Sequence, residues 1–98
     1  MAEIKAGDSG TVLELTVVDN GQSVSLVDAM VDVVIKAGTR RIIKRANITD
    51  LTRGICEVTL SADDLSSDGL FVVQGIVKYS NGNEFASDTR RFIVGKRI

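Results

Sequence analysis

The chain has no histidine. It therefore lacks the usual base of hydrolytic triads and dyads and the commonest zinc ligand. Carboxylates remain for acid–base or metal chemistry, and they are densest at Asp63, Asp64 and Asp68. Such a cluster could offer oxygens to calcium, which accepts several of them in flexible geometry. Its spacing fits no EF-hand loop, however. Ser61-Ala62-Asp63-Asp64 reads instead as an S-x-x-D capping pattern that uses the same residues to start a single helical turn over 61–66. Cys56, the lone cysteine, stands in Ile55-Cys56-Glu57-Val58-Thr59-Leu60, in phase with Val58 and Leu60. That phase predicts a buried strand thiol without a partner base, and no intramolecular disulfide is available to it.

Three short motifs carry little chemistry. Gly7-Asp8-Ser9-Gly10 is glycine-rich but lacks the lysine ending and following helix of a phosphate loop. Asn47-Ile48-Thr49 fits a glycosylation sequon, a pattern of high chance frequency, and no export signal precedes it. Lys36, Arg40, Arg41, Lys44, Arg45 and Arg53 fall within eighteen residues that hold only Asp50 as counter-charge. No aromatic residue interleaves them, as a nucleic-acid stacking surface would require. The plain reading is a solvated hairpin that resists edge-to-edge pairing. The functional one is a protein interface at Arg40, Arg41, Lys44 and Arg45.

The elements that must position these residues follow from a period of two. Leu13, Leu15 and Val17 alternate with Glu14, Thr16 and Val18, and Val31, Val33 and Ile35 alternate with Asp32, Val34 and Lys36. Such runs bury one set of side chains and turn the other to water. Strands are expected at 11–18, 23–26, 30–37, 40–48, 55–60, 70–80 and 84–94. The turns between them are Asn20-Gly21, a corner at 27–29, Gly38-Thr39, 50–54 and Asn81-Gly82. Gly75, inside the most hydrophobic run, marks a bulge or a close backbone approach. Strands at this spacing predict an all-β, immunoglobulin-like antiparallel β-sandwich. With no proline in the chain, its edges need charge, bulges or a partner to protect them.

The 98 residues suit a single domain over 1–98, with 95–98 as a linker stub. Hydrophobic residues make up 44% of the chain, enough for a core without disulfides or metal. A net charge of −1 gives no overall field toward nucleic acid or anionic membrane. No apolar run reaches the length of a membrane span or a signal peptide. The expectation is a soluble module that is not an enzyme, with no cofactor, metal, small-molecule substrate, nucleic acid or membrane partner.

Taken in order, these features resemble the N-terminal domain of phage baseplate upper proteins. That family opens on a short strand and a G-D-[ST]-G turn, here Gly7-Asp8-Ser9-Gly10 leading into Thr11 to Val18. An N-G turn and an "xxLxxA" corner follow, matched by Asn20-Gly21 and by Leu26 with Ala29. Then come a valine-rich strand (Val31, Val33, Ile35), a G-x-x-x-[VY]-x-L strand (Gly54 to Leu60) and an "L…G" corner (Leu65, Gly69). The closing "NG…F.S.T..F.V" is matched by Asn81-Gly82, Phe85, Ser87, Thr89, Phe92 and Val94.

The resemblance implies an immunoglobulin-like domain that attaches to a central tail hub, while later segments of such proteins trimerise or carry receptor-binding proteins. For this chain it implies a structural module of a phage or prophage tail baseplate, made in the bacterial cytoplasm and located in the virion. Its expected partners are other tail or baseplate proteins or further copies of itself. Basic residues between Lys36 and Arg53 could meet Glu57, Asp63, Asp64 and Asp68 of a neighbouring copy head to tail. The competing reading is a bacterial cell-surface adhesion or display module on the same fold.

Overall fold

The computed structural model describes residues 4–97 and is all-β. Ten strands run in chain order: β1 (Thr11–Thr16), β2 (Val18–Asp19), β3 (Gln22–Ser23), β4 (Ala29–Ala37), β5 (Arg40–Arg45), β6 (Asn47–Asp50), β7 (Ile55–Leu60), β8 (Gly69–Tyr79), β9 (Glu84–Ala86) and β10 (Arg90–Val94). One main sheet has the order β1-β7-β6 and the other β10-β8-β4-β5, with β9 also pairing β8, and β2 and β3 form a separate two-stranded sheet. All strand pairs are antiparallel. The terminal segments add a parallel bridge between Lys5 and Gly95. Among the described residues no helix is long and apolar enough to cross a membrane.

Alternation works as expected in the inner layer. Val31, Val33 and Ile35 of β4 and Phe71, Val73 and Val77 of β8 are buried, and they share one core with Cys56, Val58 and Leu60 of β7. Leu26 and Leu65, from the connections, close its ends. Phe71 and Phe92 face each other across β8 and β10 with ring centroids 5.1 Å apart. Such a pair adds roughly 0.5–1.5 kcal/mol beyond its buried area. Burying this apolar surface between two sheets is the main favourable term in the fold.

Turn chemistry sets the register. Asn20 and Gly21 both have positive φ, 52° and 80°, so this two-residue link between β2 and β3 has the primed geometry that Asn-Gly favours. Ser61 and Asp64 form a reciprocal capping box: the Asp64 carboxylate accepts the Ser61 N–H at 2.8 Å, and the Ser61 hydroxyl accepts the Asp64 N–H at 3.3 Å. One helical turn closes behind it, with the Leu65 N–H bonded to the Ser61 carbonyl.

Three expected strands are interrupted. The run at 11–18 stops at Thr16, because the Val17 N–H turns to the Gly54 carbonyl at 2.7 Å. A Cβ on Gly54 (φ +72°) would lie 2.2 Å from the Val24 carbonyl oxygen, so only glycine fits this joint. The run at 40–48 is two strands in different sheets, parted at Ala46, whose N–H bonds to Val31 O. The run at 84–94 breaks over 87–89, where Ser87 bonds to Gly75 through its N–H (2.8 Å) and its hydroxyl (2.9 Å). Gly75 therefore marks a close approach: a Cβ there would sit 3.4 Å from Ser87 Oγ. The strand expected at 23–26 shrinks to β3.

Gly95 and Arg97 hold the N-terminal segment. Ala6 donates its N–H to Gly95 O, and Gly95 donates to Ile4 O. The Arg97 guanidinium donates to Ala6 O and pairs with Asp8 at 2.5 Å. Ile98, the last residue of the expected stub, lies outside the described residues, as do Met1, Ala2 and Glu3.

Candidate functional site

Asp64, Cys56 and the glycine-rich turn, all chemically suggestive in the sequence, have structural roles. Asp64 is buried, caps the 61–66 turn and pairs with Lys44 at 2.5 Å. Burial pushes its carboxyl up, but hydrogen bonds from Lys44 and from the Ser61 N–H and hydroxyl outweigh that and hold it below the usual carboxylate range. Among the described residues no three His, Cys, Asp or Glu side chains are grouped to hold a metal ion. Cys56 is fully buried on β7, opposite Leu15 and Ile48, and burial raises its thiol pKa. A cavity of about 10 Å³ beside it, lined by Val31, Val33, Gly75 and Ser87 among others, is no larger than a single water. In the glycine-rich turn, the Asp8 carboxylate accepts the Lys5 N–H and binds Arg97. Asn47 of the sequon is exposed on the edge strand β6.

The four basic residues of the expected interface lie on β5, at the edge of the larger sheet, and its pleat sends them to two sides. Arg40 and Lys44 share the inner parity of Ile42. Arg40 donates to Ser66 Oγ at 2.7 Å, and Lys44 to Thr59 O as well as to Asp64. They lace β5 to the 61–66 turn. Arg41 and Arg45 share the outer parity with Ile43. Arg45 binds Asp32 of β4 at 2.6 Å, and Lys78 of β8 approaches the same carboxylate at 3.5 Å. The Arg45 hydrogen bond is the main reason the Asp32 carboxyl lies below its ordinary value, against the effect of burial. Of the acidic set expected to meet these cations from another copy, Asp64 pairs within the chain, Asp63 and Asp68 are exposed, and Glu57 lies on the far sheet.

A broader surface emerges where no motif pointed. Seven large hydrophobic side chains are exposed, and four of them, Met30, Ile43, Leu70 and Ile93, share the outer face of the five-stranded sheet. Ile93 is 71% exposed, more than any other in the set. Half-buried Val34, Val72 and Ile76 lie between them. The register places Arg91, Val72, Lys36 and Arg41 in one row across β10, β8, β4 and β5. None of those three cations takes part in an ion pair among the described residues. Toward the opposite end of the face, the single Asp32 carboxylate serves two cations, Arg45 and Lys78. A shallow groove beside Lys36, Leu70 and Val72 continues to Gly38 and Asp68.

This surface had a signal in the sequence: Ile42-Ile43, Val33-Val34-Ile35, Leu70 to Val73 and Phe92-Ile93 are apolar at both parities. A strand buried on one face needs only one of them. Leu70 and Ile93 lie on one side of the cationic row and Val34 and Ile43 on the other, with Met30 beyond Asp32. Exposed apolar side chains interleaved with charge mark an interaction site rather than a folding requirement.

The outer face of the three-stranded sheet has a different character. Glu14 and Glu57 stand directly opposite each other, with Asn47 next in the row, and Val12 and Thr59 form the neighbouring row. Neither glutamate is in an ion pair among the described residues.

A family model described as the BppU N-terminal domain matches residues 2–98. Among solved structures, the fold is similar to the N-terminal domain of phage TP901-1 ORF48, with a TM-score of 0.69 and 15% identity. That match covers 100% of this chain and 85% of that one. No curated protein matches the chain.

Proposed function

The chain belongs to the BppU N-terminal domain family, a phage baseplate structural family, and on that premise we propose that it is a non-enzymatic docking module of a tail baseplate. It would bind neighbouring tail proteins, the tail hub or further copies of itself, and its place would be in the virion. The observation that carries this reading is the outer face of the five-stranded sheet, where Met30, Ile43, Leu70 and Ile93 are exposed and the cations Lys36, Arg41 and Arg91 form no ion pair among the described residues. Exposed apolar side chains interleaved with cations suit protein contact better than catalysis, which would need convergent reactive groups in a cleft. The neighbour's name, the N-terminal domain of a phage protein, agrees with this reading and adds no site residue.

The test is to purify tail particles from the source phage or induced prophage and search them for this chain by peptide mass spectrometry. Stoichiometric recovery supports the reading. Absence from intact tails, with the protein present elsewhere in the cell, contradicts it.

A further inference from the structure

We propose that copies of this chain stack through unlike faces: the outer face of the five-stranded sheet of one copy receives the outer face of the three-stranded sheet of the next. This rests on the docking role and names a partner for it, a second copy of the same chain. Two rows of opposite charge, neither in an ion pair among the described residues, make the faces complementary. Lys36 and Arg41 lie on neighbouring strands, about 5 Å from strand to strand, and Arg91 lies in the same row on the other side of Val72.

On the other sheet, Glu14 and Glu57 are a directly opposed like-charge pair, an arrangement that destabilises a sheet. Among the described residues no cation forms an ion pair with either one, so a row of cations from outside would relieve the repulsion. Apolar contacts match as well: Val12, 55% exposed, is two residues from Glu14 on the same face, and Ile43, Leu70 and Ile93 border the cationic row.

The contact joins two different surfaces, so it repeats head to tail and closes a ring or extends a filament. Three strands make a narrow platform, of the order of 10 Å by 20 Å. That is well below the roughly 800 Å² per partner of a stable dimer. Each junction is therefore weak, salt-sensitive and strengthened by closure into a ring.

The test is a charge swap on the full chain, read by sedimentation velocity across a concentration series at low and high salt. Arg41→Glu with Arg91→Glu makes one variant, and Glu14→Lys with Glu57→Lys makes the other. All four positions are surface sites, and thermal unfolding verifies that both variants fold. The wild-type chain is expected to self-associate at low salt and to dissociate at high salt. Each variant alone should associate roughly tenfold or more weakly, since like charges then face each other. An equimolar mixture should regain association, because every junction between unlike variants is again complementary. A wild-type chain that stays monomeric at low salt overturns the stack, and so does association that ignores the swaps. A monomeric chain that is nonetheless present in tail particles would overturn the stack while leaving the docking role standing.

Discussion

The outer face of the five-stranded sheet leaves Met30, Ile43, Leu70 and Ile93 in the open, while that of the three-stranded sheet exposes one large apolar side chain, Val12, beside threonines and the Glu14–Glu57 pair. The inner faces of the same two sheets are alike, since both contribute aliphatic side chains to one core. Folding explains the likeness, because each sheet must bury one side. It does not explain the difference outside, where a polar residue at any of the four exposed positions would cost the core nothing. The contrast between the outer faces is therefore the part of this molecule that speaks of partners, and it can be attacked from several directions.

The most damaging change should act at Gly54, where the β6–β7 turn packs against the backbone of Val17 and Val24, and unfold both faces together. Gly54→Ala puts a Cβ 2.2 Å from the Val24 carbonyl at a φ of +72°. We expect a loss of about 4 kcal/mol or more in urea unfolding, combining backbone strain with a clash that cannot relax locally. Ser87→Ala removes the hydroxyl that accepts the buried Gly75 N–H at 2.9 Å and donates to Asp88 O. It should cost about 1–3 kcal/mol, the penalty of leaving that N–H unsatisfied, and should loosen the bend between β9 and β10 that positions Arg91.

Acid should act more gently. Asp64 and Asp32 have folded pKa values below their unfolded ones, so the unfolded chain binds more protons in that window. Their contribution is complete above about pH 4 and is lost as pH falls through the folded values. Thermal melts from pH 7 down to pH 2 should show this decline, and Lys44→Met should flatten it by removing the cation that holds Asp64 down. The smallest effect on stability sharpens the contrast most. Ile43→Thr with Ile93→Thr should change unfolding by no more than about 0.5 kcal/mol per site, yet weaken binding to tail components. Loss of stability comparable to a core substitution would mean these residues serve the fold rather than a partner.

Much of the fold was legible because local chemistry and tertiary structure agree. Alternation located β1, β4 and β7, Asn20-Gly21 fixed its turn, and Ser61 with Asp64 announced the capping box. The interruptions at Val17, Ala46 and Ser87 were illegible for a definite reason. The side-chain pattern runs on through each one, while the backbone N–H finds a carbonyl distant in sequence. Family resemblance, in turn, reached the matched domain but none of Met30, Ile43, Leu70 and Ile93, because its motifs lie in turns and at core positions away from that face.

The basic cluster shows a different limit. Six nearby cations suggested one patch, but a period of two already separates Arg40 and Lys44 from Arg41 and Arg45, and the structure follows the period. The exposed apolar face was overlooked because residues such as Ile43 and Ile93 have the same composition as the core and differ from it only in parity.

Lysine footprinting of intact tail particles tests the central claim, that the outer face of the five-stranded sheet is a docking surface. Lys36 stands exposed in the cationic row of that face. Acetylation of Lys36 is expected to fall severalfold in assembled tails relative to the free chain. Equal labelling of Lys36 in tails and in the free chain would contradict it.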